Sequence, residues 1–404
     1  MKMKMRTKLI QLENFMKISK FFFKGLGMVA YRDVTVAATV AATTTLFMNI
    51  VFWSNFVNLN VTIVLELIYL VKAMSSFSSF LEATALAPCI GFCILSEFKL
   101  FTVWRSSNQI IALVNGLKEF FPQSVEQQEK FMVEHWLKRT LRLGVMYSSC
   151  LIIAIWAFNL LPLFWSLVEF YVAGGQFNWR FAYLLWYPFQ VNTIPVYSFI
   201  YTHQVFAGYT AAGGFFCCDI FMFNLILLLC MNFSYIANSI AEMKPCGTEK
   251  DSMQLNALVK HHQRILELSN ITSEIFSVTI LVNFVSSVFI ICLTSFQVTA
   301  EVPPMDFIKY LLFLLHELSQ IGTICYLGDY LITSSRKVGY SAFNQEWWNG
   351  SLSYQKSILL VISRAQKPSF LIAKGFAIVS MECFTDILTK SYQFFVCLRH
   401  MYGD

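Results

Sequence analysis

Long apolar runs alternate with short stretches rich in charged residues along this chain. A helix needs about 20 apolar residues to cross a bilayer, and seven segments approach that length. They cover residues 34–57, 77–100, 143–165, 194–216, 275–296, 307–331 and 370–398. The pattern predicts an all-α, polytopic membrane protein with seven transmembrane helices.

Two further apolar stretches leave alternatives open. Residues 59–71 carry Glu66 and precede Lys72, so they either extend the first span or lie in the membrane interface. Residues 221–236 follow Asp219 and either form a separate segment or continue the fourth helix out of the membrane. Hydropathy alone decides neither boundary.

Basic residues indicate the orientation. They are concentrated before the first span and in every second connecting segment, while the opposite loops hold only Lys72 and Arg180. By the positive-inside rule the N-terminus is cytoplasmic and, after seven crossings, the C-terminus is extracellular. This orientation is opposite to that of a G-protein-coupled receptor. The sequon at Asn60 falls in the first predicted outer loop, which makes Asn60 the candidate glycosylation site.

The C-terminal segment predicts a helix that is split in two. Residues 351–366 form an apolar run flanked by basic residues, and Pro368 ends or kinks the helix that precedes it. We expect a cytoplasmic helix, a break and then a terminal membrane helix. The terminal helix carries Glu382, Asp386 and Lys390 among apolar residues. Ionisable groups in a span face protein or water, so this helix is a candidate pore wall.

Composition agrees with the membrane class and argues against others. The chain is 56% hydrophobic and only 13% charged, which a soluble domain does not need. The net charge of +6 comes from segments between spans and is no sign of nucleic-acid binding. Most of the 11 Cys lie in spans without ligand spacing, and the six His are scattered. We therefore expect no disulfide framework, metal site, cofactor or enzymatic activity.

Five ordered motifs carry a family resemblance. They are HHQRILELSNITSEIF, ICLTSFQ, CYLGDYLITSS, FNQEWWNGSLSYQKSILLVISRAQKP and GFAIVSMECFTDILTKSYQFFVCL, all in the C-terminal half. Together with the topology and length they resemble the insect odorant receptors. The first four spans resemble that family mainly in length and hydropathy.

The resemblance implies an odorant-gated, non-selective cation channel. Four subunits surround a pore lined by the terminal helix, and a volatile odorant binds in the outer half of each helical bundle. The short segment 242–254 resembles a tuning subunit, which forms a heterotetramer with the co-receptor Orco in the lipid of the plasma membrane, in the dendrite of olfactory sensory neurons. The alternatives are a gustatory-receptor-like channel able to work as a homomer, or a secondary transporter.

This resemblance divides the chain into four parts. Residues 1–33 are a cytoplasmic amphipathic segment and residues 34–331 a six-helix ligand-binding bundle. Residues 332–369 form a cytoplasmic loop with an anchor helix, and residues 370–404 form the pore-lining helix with an extracellular tail.

The ligand site is expected to be an apolar, aromatic-lined cavity with few hydrogen-bonding groups. On the third span one hydroxyl, one aliphatic and one indole side chain share a helical face, and aromatic pairs occur on the second and fourth spans. Ordinary helix packing remains the alternative for each residue. The candidates are Phe77, Phe80, Ser149, Ile152, Trp156, Tyr197, Tyr201, Phe313 and Glu317.

The candidate gate lies near the end of the terminal helix. By resemblance, Phe395 and Leu398 form a hydrophobic constriction that closes by dewetting. Arg399 follows them and would place a positive ring in a homotetramer, which opposes cation flow. Glu382 and Asp386 either attract cations or pair with neighbouring lysines.

Overall fold

The computed structural model describes residues 9–29, 41–74, 80–172 and 177–403, without the side chains of 41–45, 402 and 403. This part of the chain is almost entirely helical. The elements are α1 Leu12–Phe15, α2 Lys17–Gly25, α3 Ala41–Met74, α4 Phe80–Arg105, α5 Ser107–Glu119, α6 Val125–Lys130, α7 Val133–Val172, α8 Ile194–Glu242, α9 Glu249–Thr299, α10 Pro304–Asn344, α11 Leu352–Ala365, β1 Ile372–Ala373, β2 Ala377–Ile378 and α12 Met381–Gly403, with a 3₁₀ turn at Trp347–Asn349.

Six of the described helices are long and apolar enough to cross a membrane: α3, α4, α7, α8, α9 and α10. They coincide with the first six predicted spans, although residues 34–40 and Phe77 lie outside the described residues. The 49 residues of α8 extend over about 74 Å at 1.5 Å per residue. This is more than twice the thickness of a bilayer core. The fourth helix therefore continues through 221–236 and projects well beyond the membrane.

The first helix also continues past its predicted end. Because α3 runs without interruption to Met74, residues 59–71 extend it, and the predicted outer loop at Asn60 is wrong. Asn60 lies within the helix, where its side-chain amide donates to Glu97 Oε1 at 2.7 Å and to the carbonyl of Phe56 at 2.9 Å. Its glycosylation remains untested.

Helix α8 is the centre of the bundle. Its most apolar stretch is completely buried by neighbouring helices, and α2, α3, α4, α7, α9 and α10 all pack against it. A helix that is apolar on all sides requires such surroundings. The N-terminal helix α2 covers part of α8 through aromatic contacts of Phe22 with Phe216 (4.3 Å between ring centroids) and Phe23 with Phe221 (6.0 Å).

The break before the terminal helix is confirmed, but that helix begins at Met381 rather than at 370. Residues 372–378 form a small antiparallel hairpin instead, with Ile372 opposite Ile378. Gly375 in its turn has φ +71°, a conformation that favours glycine. The hairpin is held on α9, where the Ile372 amide donates to Ser273 Oγ at 3.2 Å and the Lys374 amide to the Ser277 carbonyl at 3.2 Å.

Helix α12 has one packed and one exposed face. It packs against α9 and α10 through buried Cys383, Ile387 and Ser391. Glu382, Asp386, Thr389 and Lys390 lie on the exposed face. These polar residues make α12 more polar than the six helices above. Its crossing of the membrane stays a prediction.

Two glycines of α10 differ in how closely neighbouring residues approach them. A Cβ on Gly328 would lie 2.4 Å from the Val379 carbonyl oxygen, whereas a Cβ on Gly322 would make an ordinary contact of 3.7 Å with Phe384. We expect Gly328→Ala to destabilise the protein by about 1–3 kcal/mol through overpacking. Gly322→Ala is the matched control and is expected to be neutral or slightly stabilising, since alanine favours helix.

Thermal unfolding of the detergent-solubilised variants measures both effects. Equal midpoints for the two variants would contradict the close approach of α10 to residue 379.

Candidate ligand-binding cavity

A cavity lies between α3, α4, α7, α8 and α10, close to the segment that joins α7 to α8. Its volume is about 40 Å³. A ligand of odorant size therefore enters only when wall side chains shift. The walls are formed by Thr62, Glu66, Cys89, Phe92, Cys93, Leu151, Ala154, Ile155, Phe158, Tyr183, Ala207, Gly208, Ala211, Phe313 and His316.

Aromatic rings shape the apolar part of the cavity. Phe313 packs edge-on against both Phe92 and Phe158, with ring centroids 5.7 Å apart in each pair. Phe158 also stacks on Tyr183 at 6.0 Å. Such a wall holds a small apolar molecule through shape and dispersion.

Four polar side chains reach the cavity, and three of them have unpaired atoms. The hydroxyl of Thr62 donates to the Asn58 carbonyl within α3 at 3.0 Å. Within the described residues, Glu66 Oε2, Tyr183 Oη and both ring nitrogens of His316 lack a hydrogen-bond partner. Each unpaired buried group costs about 1–3 kcal/mol. The cavity thus carries hydrogen-bonding capacity that the protein itself leaves unused.

The segment from 177 to 193 covers one end of the cavity. Its Trp186 amide donates to the Leu65 carbonyl on α3 at 3.3 Å, and its Tyr183 amide donates to Gln204 Oε1 on α8 at 3.1 Å. A second, wider space of about 490 Å³ adjoins the cavity and shares Cys89, Phe158 and Tyr183 with it. Tyr183 therefore stands between the two spaces.

A buried ion pair lies next to the cavity. Lys99 Nζ of α4 contacts Asp219 Oδ1 of α8 at 2.7 Å, and both side chains are almost fully buried. Tyr147 of α7 and Gln320 of α10 donate to Asp219 Oδ2 at 2.7 and 2.8 Å. The pair thereby joins four helices through one carboxylate.

His316 connects this ion-pair network to the cavity. Its ring lines the cavity and contacts Tyr147 at 5.8 Å and Phe215 at 6.1 Å between centroids. The Lys99 ammonium lies 3.5 Å from the centroid of Phe215, where its charge is attracted to the face of the ring.

The predicted ligand contacts take different positions. Phe313 lines the cavity. Its neighbour Glu317 points elsewhere and accepts a hydrogen bond from Ser287 Oγ. Phe80 packs against Phe296 at 6.2 Å. Tyr197 donates to the Arg180 carbonyl at 2.7 Å and Tyr201 to the Asn159 carbonyl, so neither hydroxyl is free.

The predicted face of the third span is turned away from the cavity. Leu151, Ala154, Ile155 and Phe158 provide the α7 wall, whereas Trp156 is 52% exposed on the other side. Ile152 is likewise exposed, and the Ser149 hydroxyl donates to the Met146 carbonyl at 2.9 Å. The ligand role of these residues, and of Phe77, stays a prediction.

The predicted gate lies near the end of α12. Phe395 and Leu398 are half-buried, while Arg399 is exposed. Glu382 and Asp386 are exposed as well. The Lys390 ammonium lies over the Phe376 ring, 4.9 Å from its centroid.

Sequence reasoning missed most of the polar residues at the site. Glu66, Lys99 and Asp219 are charged residues within apolar helices, which is the signal that marks functional positions in membrane proteins. His316 lies within the apolar span 307–331 and carries the same signal. Tyr183 offered none, because only the arrangement of the chain brings it to the cavity.

Long helices around an aromatic-lined cavity define a polytopic membrane protein. The family model described as "7tm Odorant receptor" matches residues 79–392, more than three quarters of the chain. The chain therefore belongs to the odorant receptor family, a family of membrane receptors.

Related sequences support this family, and a solved structure has a similar fold. The chain is 32% identical to Odorant receptor 85b of Drosophila melanogaster over 97% of this chain and 100% of that protein. It is 33% identical to Putative odorant receptor 92a of the same species over 86% of each chain. The fold is similar to that of insect olfactory receptor OR5 from Machilis hrabei, solved with eugenol (TM-score 0.81, 16% identity, 96% of this chain and 98% of that one).

The ion pair generates a prediction about stability. Lys99→Met leaves Asp219 buried without its counter-charge, which typically costs about 3–5 kcal/mol. The matched control is Lys118→Met, since Lys118 pairs with Glu13 at 3.1 Å on the surface and such pairs contribute at most about 1 kcal/mol.

Surface expression and thermal unfolding in detergent report on both variants. If the Lys99→Met protein unfolded at the same temperature as the Lys118→Met protein, the burial of Asp219 would not require the charge of Lys99.

Proposed function

We propose that this chain is the odorant-binding, tuning subunit of a heteromeric, ligand-gated, non-selective cation channel. Its partner is the co-receptor Orco, and its place is the plasma membrane of olfactory sensory neurons, in the dendrite. The observation that carries the proposal is the aromatic-lined cavity, since a volatile ligand with few polar atoms binds by shape and burial. Membership of the odorant receptor family supports it.

Helix α10 provides the route from the cavity to the pore helix. Phe313 and His316 lie in the cavity wall, and Gln320 one turn further on bonds to Asp219. Beyond it, Gly322 faces Phe384 and Gly328 faces Val379, at and just before the start of α12. A ligand that displaces the wall thus acts on α12 through a single rigid element.

The exposed face of α12 provides the proposed pore wall. Its Glu382 and Asp386 face outward from the subunit, where carboxylates attract cations. In this arrangement Phe395 and Leu398 form the gate, and Arg399 opposes cation flow unless partner subunits dilute its charge.

The anchor helix α11 supports assembly with partner subunits. Its buried face packs on the subunit, but Leu352, Leu359 and Leu360 are at least half exposed. Large apolar side chains clustered on a surface mark interaction sites. A neighbouring anchor helix of the channel covers them.

Voltage-clamp recording tests the proposed function. Cells that express this chain together with Orco are expected to show odorant-evoked, cation-carried current, and cells that express this chain alone are expected to show little. Surface labelling controls for expression. Equal current without the partner would favour the homomeric, gustatory-receptor-like alternative, and ligand-coupled uptake without channel current would favour the transporter.

Gly208 tests the cavity itself. A Cβ at this position would lie 2.4 Å from Tyr183 Oη, so Gly208→Ala forces Tyr183 to move within the wall. We expect the odorant EC50 to change by about tenfold or more, because overpacking of about 1–3 kcal/mol acts directly on the site.

Gly91→Ala is the matched control, since a Cβ there makes an ordinary 3.7 Å contact with Ile290 outside the cavity. Its EC50 should remain that of the native receptor. Equal shifts in both variants would place the ligand elsewhere.

A further inference from the structure

The cavity has a polar end formed by Glu66 and Tyr183. Glu66 is 1% exposed and Tyr183 lies in the segment that covers the cavity. The segment that carries Tyr183 is tied to α3 next to Glu66, because the Trp186 amide donates to the Leu65 carbonyl. One oxygen of each side chain has no partner among the described residues.

Among the described residues no lysine or arginine lines the cavity, and the nearby Lys99 is engaged by Asp219. The wall also contains Thr62 and His316, whose ring nitrogens are unpaired. Three phenylalanine rings, two cysteines and small or aliphatic side chains occupy the rest. The site therefore fits a molecule with an apolar body and one small polar head.

We infer that the cavity selects alcohols, whose hydroxyl pairs with Glu66 and Tyr183 together. This inference rests on the proposed function, because it takes the cavity as the odorant site. A hydroxyl both donates and accepts a hydrogen bond, so one group donates to the Glu66 oxygen and accepts from the Tyr183 hydroxyl. An ether or a ketone only accepts, so it pairs with Tyr183 and leaves the Glu66 oxygen without a donor. An ammonium head would pair with the Glu66 carboxylate, but in this apolar wall the desolvation of both charges offsets their attraction.

Glu66 is accordingly the specificity-determining residue. A ligand that leaves a buried hydrogen-bonding group unpaired is rejected more strongly than one that merely fills space less well. The preference should lie in the head group, while the length of the apolar body is set by the aromatic wall.

The test compares head groups at constant chain length. The receptor is co-expressed with Orco, and EC50 values are measured for straight-chain primary alcohols, methyl ethers, methyl ketones and primary amines. We expect alcohols to act at EC50 values lower than those of the matched ethers by about tenfold or more. The ratio of two EC50 values measured on the same receptor is compared, because a change in expression or gating that affects all ligands equally cancels in this ratio.

Variants then assign the preference to Glu66. Glu66→Leu should raise the EC50 of alcohols to that of the ethers, while Glu66→Gln, which still donates and accepts, should keep most of the preference. Glu97→Leu is the matched control: Glu97 is bonded to Asn60 on the neighbouring helix and does not line the cavity, so the ratio should stay unchanged. Tyr183→Phe removes a donor that alcohols and ethers both use, so their EC50 ratio should stay unchanged. Glu66→Met provides the same test as Glu66→Leu should the latter fail to reach the surface.

The outcomes separate this inference from the proposed function. Current evoked mainly by ethers, ketones or amines would overturn the inference and leave the proposed function standing. An alcohol preference that survives Glu66→Leu would do the same. No current with any odorant, at confirmed surface expression with Orco, would overturn the proposed function and the inference with it.

Discussion

Lys99 and Asp219 place two opposite charges in the middle of an apolar helical bundle, and the arrangement of the surrounding helices depends on how those charges are satisfied. Removing a carboxylate and an ammonium from water is favourable only if their remaining hydrogen-bonding capacity is also used. Tyr147 and Gln320 meet that requirement from two further helices, and the face of Phe215 accepts part of the lysine charge. The position of each of these helices is therefore tied to one carboxylate.

This arrangement explains why the cavity lies where it does. The ion pair holds α4, α7, α8 and α10 together, and the cavity opens beside it with His316 at the boundary. Both charges of the network are paired, whereas Glu66 Oε2 and Tyr183 Oη in the cavity lack a partner among the described residues, as does Gln320 Oε1 in the network. The charges thus stabilise the bundle, while the cavity keeps unpaired polar groups.

Helix α10 contributes both to the ion-pair network and to the wall of the cavity. It contributes Phe313 and His316 to the cavity, Gln320 to the network, and two glycines to the contact with the hairpin and α12. Small residues at a helix interface allow close approach and tight packing in membranes. A tightly packed contact transmits a displacement instead of absorbing it. The same helix thus connects the cavity wall, the ion-pair network and the contact with α12.

The sequence by itself determined the class and the helices. Long apolar runs predict membrane helices because hydrocarbon leaves the backbone no other partner, and Pro368 predicted the break between α11 and the terminal segment because proline cannot continue a helix. The apolar stretches 59–71 and 221–236 became parts of α3 and α8 only through packing on neighbouring helices. The hairpin at 372–378 replaced a predicted helix because its backbone bonds to α9. Only the tertiary structure decided which face of α7 meets the cavity, turning Phe158 inward and Trp156 outward, since on a helix that is apolar all round no polar stripe reveals its rotation. It likewise brought Glu66, Tyr183 and His316 from three distant parts of the chain to one cavity, because side-chain pairing between helices depends on their relative placement and not on local sequence.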